Sequence, residues 1–440
     1  MIEFWVPIAV LFAGLVLFLI LGLPMSFTLG ASAIIAALFF MGPETLGFAA
    51  QATYGVMRRL ILIAMPLFIF MAAVLERSGV ADALYAAMHQ WMGSLRGGLA
   101  MATVVICTLI AAMSGVSTAG VVTMGLIALP IMLKKGYNKT IAIGPILAGG
   151  ALGILIPPSV SFIIYGMITE QSIGRLFAGG LIPGLILSFL YISYIGIRCY
   201  FQPHLGPAIP REEIVPLRQK IVLSRGIILP VLLIFGVLGS IFFGIASPTE
   251  AASIGAGGAL ICAAIHRRLN WQMVKEAGIR TLTINGMVMW IIFGAYCYTA
   301  VFVATGGPQL VREFILGLDV PPIAIIMVMM VSYFIGGCFL EEITMLVLTI
   351  PVYLPILLGL GYDPVWFGVL FIVNMQMGYL TPPFGFTLFY MKGVAPPEVS
   401  LGDIYRSVIP FVGLQWIGLL LVLFLPQLAL WLPGVVFGLR

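Results

Sequence analysis

The sequence predicts an all-α polytopic membrane protein of two inverted repeats. Each repeat is expected to hold a re-entrant helical hairpin and a transmembrane helix broken at a Pro-Pro pair. Three observations carry this reading: a composition too apolar for water, motifs that recur at one fixed offset, and lysines that follow only the first copy.

Of the 440 residues, 62% are hydrophobic and 8% charged, and the mean hydropathy is +1.17. A soluble chain carries about 25% charged residues. Here 21 basic and 16 acidic residues cannot keep the surface of such a chain wet, so hydrocarbon must be its main solvent. The same figures exclude disorder, collagen and a disulfide scaffold. Cys107, Cys199, Cys262, Cys297 and Cys338 lie in or beside apolar runs with no paired spacing and read as small core residues. The net charge of +5 follows topology and is no sign of nucleic-acid binding.

The start, Met1 to Trp5, has no basic stretch and no small-residue cleavage site follows, so the first apolar run reads as a retained span. Full spans are expected near 4–21, 27–41, 59–77, 140–169, 178–200, 226–243, 251–265, 281–305, 365–391 and 407–425. The segments 97–133 and 321–358 each hold two apolar arms around a polar tip. Arms of about 16 residues fall short of a bilayer of ~30 Å, so both read as re-entrant hairpins. The stretches near 79–95 and 308–319 read as interfacial helices. The longest polar stretch, 202–225, carries four prolines and reads as a cytoplasmic linker between the halves.

The repeat is explicit. Leu129–Tyr137 matches Leu354–Tyr362 at six of nine positions, at an offset of 225, and Gly153–Pro158 recurs as Gly378–Pro383 at the same offset. The loop after the first copy holds Lys134, Lys135 and Lys139; the loop after the second has no basic residue and one acid, Asp363. Basic loops favour the cytoplasm, so the two equivalent loops are expected on opposite sides. With the N-terminus periplasmic, only Arg58, Arg59, Arg175, Arg312 and Arg440 of the basic residues fall outside, and the Arg58–Arg59 pair sits uneasily there.

The tips and breaks carry the candidate chemistry. The first tip, Ser114–Gly120, offers hydroxyl and carbonyl oxygens, hard ligands for Na⁺, beside helix N-termini that attract a carboxylate. A tight helix-packing patch is an equal alternative for that tip alone. The second tip places Glu341 and Glu342 in an apolar hairpin, where each acid costs roughly 2.5–3.5 kcal/mol to insert. Cation binding, a proton relay and capping of the second arm all remain open. The prolines of Ile156-Pro157-Pro158-Ser159 and Thr381-Pro382-Pro383 break their helices and free carbonyls, which is tolerated only beside a cavity or within protein. Ser159, Ser161, Thr381 and Thr387 add hydroxyls there; Asn374 and Gln376 precede the second break and serve either the site or interhelical hydrogen bonding. Hairpin tip plus broken helix, present twice, is the pattern of a secondary transporter with a midplane site. His89, His204 and His266 fall at span ends or in the linker, so no enzyme-like set is visible; a channel is disfavoured by paired sites in inverted halves.

At this level of detail the sequence resembles the large membrane subunit, DctM type, of tripartite ATP-independent periplasmic (TRAP) transporters. The resemblance lies in Lys134–Tyr137, Leu152–Ser159, Tyr165-Gly166 and Gly179–Gly184, and in Leu354–Ile356, Gly361–Pro364, Asn374 and Leu380–Gly385. It implies an elevator-type ion-transporter-like fold, Na⁺ as the coupling ion with no other cofactor or metal, and uptake of an organic acid anion, usually a carboxylate, across the bacterial inner membrane. It also implies a DctQ-type small membrane subunit and a DctP-type periplasmic substrate-binding protein as partners. No catalysis is expected.

Carried over residue by residue, the sodium set is Ser114, Gly115, Ser117, Thr118, Pro157, Pro158, Ser159, Glu341, Glu342, Thr344, Thr381, Pro382, Pro383 and Gly385. The substrate set is Ser117, Thr118, Ser161, Glu342, Asn374, Gln376 and Thr387. The transport parts are expected at 97–170 and 321–392. The scaffold is expected to comprise 1–96, 171–201, 226–320 and the helix and tail of 393–440. Lys392–Glu398 is similar to a branch linked with mannitol and chloroaromatic or other monocarboxylate uptake, and Phe384, a bulky aromatic where the commonest pattern has a small aliphatic residue, is expected to favour a compact or apolar-bodied acid. The main alternative is a stand-alone Na⁺-coupled carboxylate symporter or exchanger of related fold that needs no binding protein.

Overall fold

The computed structural model describes all residues except Met1, Glu44, Thr45, Arg211, Glu212, Ile214, Leu318, Asp319, Leu439 and Arg440. Among the described residues there is no strand. The first half runs α1 (Ile2–Ile20), α2 (Met25–Phe40), α3 (Leu46–Met57), α4 (Ala64–Arg77, entered through a 3₁₀ turn), α5 (Val80–Met92), α6 (Gly98–Ser114), α7 (Ser117–Lys134), α8 (Lys139–Ala151), α9 (Val160–Thr169) and α10 (Ile173–Phe201). The second half runs α11 (Leu217–Phe242), α12 (Pro248–Ile265), α13 (Trp271–Ala304), α14 (Gly307–Leu316), α15 (Pro322–Gly337), α16 (Glu342–Gly359), α17 (Pro364–Leu380), α18 (Phe386–Val394), α19 (Leu401–Phe424) and α20 (Gln427–Phe437). Among the described residues, eight helices are long and apolar enough to cross a membrane.

A helix stands at every expected span. The end of the 308–319 segment and Arg440 lie outside the described residues. Helices α3 and α20 were not anticipated, because neither is long enough to register as a span. The second arms α7 and α16 are 18 residues each, longer than expected, so length alone does not make the hairpins re-entrant. The linker is shorter than 202–225, since α11 begins at Leu217 immediately after Pro216. Nor is it loose: Leu205 and Ile209 are buried, and Gly97 N–H donates to Gly206 O at 2.8 Å while Ile209 N–H donates to Gly93 O at 2.8 Å.

Local chemistry sets the helix ends. Ser247 with Glu250, and Ser400 with Asp403, form capping boxes that start α12 and α19. Asn138, Ser159, Ser172, Asn270 and Asp363 cap α8, α9, α10, α13 and α17 by accepting backbone N–H bonds.

Two packed groups result. In one, α4 lies on α12 and α2 on α13. A Cβ on Gly255 would come within 2.6 Å of the Met71 sulfur, and one on Gly294 within 2.3 Å of Ser26 O. In the other, α17 is buried on every side from Val365 to Leu380, as a central helix apolar all round must be. Around it, α8 meets α19 where a Cβ on Gly144 would strike Phe411 at 2.4 Å; α10 meets α9 where Gly180 faces Phe162 at 2.5 Å. Trp366 Nε1 donates to Val422 O at 2.8 Å. The sequence reading grouped 171–201 and the helix of 393–440 with the scaffold. In the structure α10 approaches the first broken helix closely, with Gly180 against Phe162 and Gly184 against Ile156, and α19 packs on α8 at Gly144.

Helix α10 also relates the two hairpins. At its C-terminal end, Asn138 N–H, from the loop after α7, donates to Leu205 O at 2.9 Å. In the same region Lys135 pairs with Glu213, and Lys139 reaches Asp403 at 2.8 Å. At its N-terminal end, Arg175 meets Asp363, from the loop after α16, at 3.4 Å. With 29 residues α10 rises about 43 Å, so the loops that follow the two hairpins lie at opposite ends of it.

Candidate functional site at the hairpin tips and helix breaks

The first tip closes on the first break. Gly115 ends α6 in the left-handed region with φ +67°, and a Cβ there would lie 2.4 Å from Pro158 O. Only glycine supplies both the turn and the clearance. Val160 N–H faces Gly115 O at 3.4 Å. Gly153 does the same from the other side, where a Cβ would meet Val116 O at 2.4 Å and Ser117 N at 3.0 Å. Ser114, Gly115, Ser117, Pro157, Pro158 and Ser159 are therefore brought together, all of them buried, with Thr118 half-buried beside them.

Two hydroxyl protons of this cluster are already committed. Ser159 Oγ donates to Ile154 O at 2.6 Å and accepts from Phe162 N at 3.3 Å. Ser114 Oγ donates to Val116 O at 3.3 Å. A hydroxyl that spends its hydrogen on a carbonyl freed by the break keeps an oxygen lone pair in a fixed direction. That suits a hard cation.

The second tip closes on the second break through Tyr379. Its hydroxyl accepts the Glu342 N–H at 2.9 Å, at the start of α16, where backbone donors lack helical partners. Gly337 and Gly378 bring α15 onto α17; a Cβ on Gly378 would lie 2.6 Å from Gly337 C. Glu342 and Thr344 are buried, Glu341 and Thr381 half-buried, and Gly385 turns with φ +55°. Pro382 and Pro383 are exposed, whereas the first break is buried throughout.

The first break meets the second tip through a side-chain hydrogen bond: Ser161 Oγ donates to Glu342 Oε1 at 3.2 Å. Ser161 stands at the start of α9, just past the first break. No lysine or arginine occurs within 98–133, 140–169 or 322–391, so these elements supply two carboxylates at the tip and no cation of their own.

Other expected residues are turned to framework tasks. Thr381 Oγ1 donates to Met377 O at 2.7 Å and Thr387 Oγ1 to Tyr379 O at 2.7 Å, satisfying carbonyls around the second break. Asn374 Nδ2 donates to Met330 O at 2.6 Å, tying α17 to α15. Gln376 is wholly buried, and among the described residues neither of its amide atoms has a hydrogen-bond partner.

Two residues were missed. Tyr379 lies inside the repeated motif and was read only as a marker of the repeat. Arg59 was read as a topological anomaly. Its guanidinium donates to Met167 O at 2.7 Å, near the end of α9, sits over Tyr296, and lies 3.6 Å from Glu170. It lines a pocket of about 220 Å³ between α13 and α16, with Tyr296 and Thr299 on one side and Val347 and Ile350 on the other. The signal for it was present: an arginine pair at the end of an otherwise uncharged run.

Comparison with known proteins agrees with this architecture. The family described as "Tripartite ATP-independent periplasmic transporter, DctM component" matches residues 12–428. The chain is 32% identical to a C4-dicarboxylate TRAP transporter large permease protein from Vibrio cholerae, covering 98% of each. It is 30% identical to an isethionate TRAP transporter permease protein, DctMQ, from Oleidesulfovibrio alaskensis, covering 97% of this chain and 66% of that one. Its fold is similar to the YdaH transporter of Alcanivorax borkumensis, with a TM-score of 0.67 at 16% identity and coverage of 97% and 98%. The two TRAP relatives are transporter permease proteins, not enzymes. A whole-chain family match, the all-helical membrane architecture and the paired discontinuous helices agree: the chain belongs to the DctM family, the large permease subunits of TRAP transporters for organic acids.

Proposed function

We propose that this subunit carries out Na⁺-coupled uptake of a small organic acid anion by an elevator motion, taking substrate from a periplasmic binding protein. The observation that carries the reading is the Ser161–Glu342 hydrogen bond, which ties the first break to the second tip. Na⁺ sits among fixed hydroxyl and carbonyl oxygens at each tip–break junction: Ser114, Gly115, Ser117, Thr118 and Pro157 to Ser159 in the first half; Glu341, Glu342, Thr344 and Thr381 to Gly385 in the second. The anion lies between the tips, near Ser117, Thr118 and Ser161. Coupling follows from charge. With two carboxylates and no basic residue on these elements, an anion binds well only once cations are present, and by linkage each raises the other's affinity.

The moving body comprises α6 to α10 and α15 to α20, because α10 and α19 are locked to the broken helices by glycine contacts. The scaffold comprises α1 to α5 and α11 to α14. The opposite placement of the two post-hairpin loops along α10 supports inverted repeats, and the lysines at one end support a cytoplasmic assignment of that end with the N-terminus periplasmic. Arg59 then lies on the periplasmic side at the boundary of the two bodies, a cation lining the pocket that an arriving anion meets. Relatives named for C4-dicarboxylate and isethionate both handle small organic anions. A DctQ-type small subunit completes the membrane part; the fused DctMQ relative supports that partnership.

Reconstitution in liposomes tests this reading. With the small subunit, the binding protein and an inward Na⁺ gradient, uptake is expected; the chain alone is expected to be inactive. Uptake by the chain alone would establish a stand-alone symporter instead.

A further inference from the structure

At the lysine-rich end, away from the tips, α8, α10 and α19 enclose a pocket of about 180 Å³ lined by Thr140, Tyr194, Arg198, Arg406, Ser407 and Ile409 among others. It holds two arginines, and no acid lines it among the described residues. Arg198 lies over the Tyr194 ring at 5.6 Å and donates to its hydroxyl, which fixes the guanidinium while leaving most of its donors unused. Arg406 makes no ion pair or side-chain hydrogen bond among the described residues. The nearest acid on these helices, Asp403, is already engaged by Lys139 and Ser400. Two uncompensated guanidinium groups in one recess select an anion with several oxygens, such as a phosphate.

The surroundings say which kind of phosphate. The seam between α10 and α19 leading from the pocket toward the middle of the molecule is apolar and exposed. Ile197 is 61% exposed on α10; Ile409 is 67% and Ile417 47% exposed on α19. The aromatic pair Tyr200 and Phe201 stands exposed at the end of α10, where amphipathic rings sit at a headgroup boundary. A charged recess continuous with a greasy seam matches a molecule with an anionic head and hydrocarbon chains. We propose that this pocket is a binding site for an anionic glycerophospholipid, its phosphate held by Arg198 and Arg406 and its chains lying along the α10–α19 seam. Basic pockets between helices at the cytoplasmic side are a recognised setting for such headgroups. The site lies wholly on helices that pack with the breaks, so the lipid would travel with that group.

Native mass spectrometry of the purified full chain tests this, titrating phosphatidylglycerol and phosphatidylcholine of identical acyl chains. The expected result is preferential retention of phosphatidylglycerol, with affinity falling about fivefold for each arginine replaced in Arg198→Gln and Arg406→Gln, the contribution of one basic residue near an anionic lipid surface. The double lysine variant should retain most of the preference, and Arg225→Gln should leave it intact. Equal retention of the two lipids by the unaltered protein would overturn the proposal, whatever the variants' folding. Undiminished phosphatidylglycerol binding by a well-folded double glutamine variant would do the same. Complete displacement of lipid by millimolar inorganic phosphate would mark a soluble-anion site instead and would also overturn it.

Discussion

Ser161 Oγ and Glu342 Oε1 lie 3.2 Å apart, joined by a hydrogen bond between residues 181 positions apart in sequence. One stands just beyond the first helix break and the other at the tip of the second hairpin. The contact joins the first tip–break junction directly to the second.

Ser161→Ala removes the only described hydrogen bond to the Glu342 carboxylate. Partners that orient a ligating group typically contribute 10–100-fold to metal affinity. The expected outcome is an apparent Na⁺ affinity about tenfold weaker, with the protein still folded, read from Na⁺ titration of uptake. Replacement by threonine, which keeps the hydroxyl, should recover most of it.

Gly378→Ala places a methyl group 2.6 to 2.9 Å from the Gly337 backbone. Backbone cannot swing aside as a side chain can, so overpacking of about 1–3 kcal/mol or more is expected. A lowered Tm in detergent, together with lost uptake, is the predicted result. Gly393→Ala, whose added Cβ meets nothing within 4 Å, should leave both unchanged.

Arg59→Gln should raise the substrate concentration needed for half-maximal uptake, by about tenfold for a lost charge-assisted contact of roughly 1.5 kcal/mol. Its neighbour Arg58 sits over Tyr54 and has no hydrogen bond to α9 among the described residues, and Arg58→Gln should have little effect. Equal behaviour of the two variants would remove Arg59 from the access route.

The α5–linker contact should weaken in acid. Burial, and then the Lys135 charge, hold the His89 imidazole below its ordinary 6.5, with Glu213 opposing. Gln90, beside it, holds the linker through Val215 N–H at 3.1 Å. A folded-state value below the unfolded one means the unfolded segment takes up the proton first. The contribution is therefore complete above pH 6.5 and is lost as pH falls below it toward the depressed value. Limited proteolysis should cut 202–216 faster at pH 5 than at pH 7.5, and His89→Gln should flatten that difference.

How much the sequence revealed differs by feature. The hairpins and breaks were legible because glycine, proline and acid residues are conspicuous in apolar runs, and the repeat offset paired them. The grouping of α10 and α19 was not legible, since Gly180, Gly184 and Gly144 read identically whether they face lipid, scaffold or a broken helix. Thr387, Asn374 and Gln376 carry the same atoms whether they serve a ligand or a carbonyl; only Tyr379 O and Met330 O, placed by the fold, separate those tasks for the first two. Arg59 needed the end of α9 to acquire meaning.

The most direct test of the central claim is Na⁺-driven uptake by the reconstituted three-component system, comparing the unaltered protein with Glu342→Gln and Ser117→Ala. Loss of a carboxylate from a site of low dielectric should weaken Na⁺ dependence by roughly 100-fold or more, and loss of the Ser117 hydroxyl by a smaller factor. Unchanged Na⁺ dependence and substrate affinity in both variants would contradict the assignment of the site to the hairpin tips.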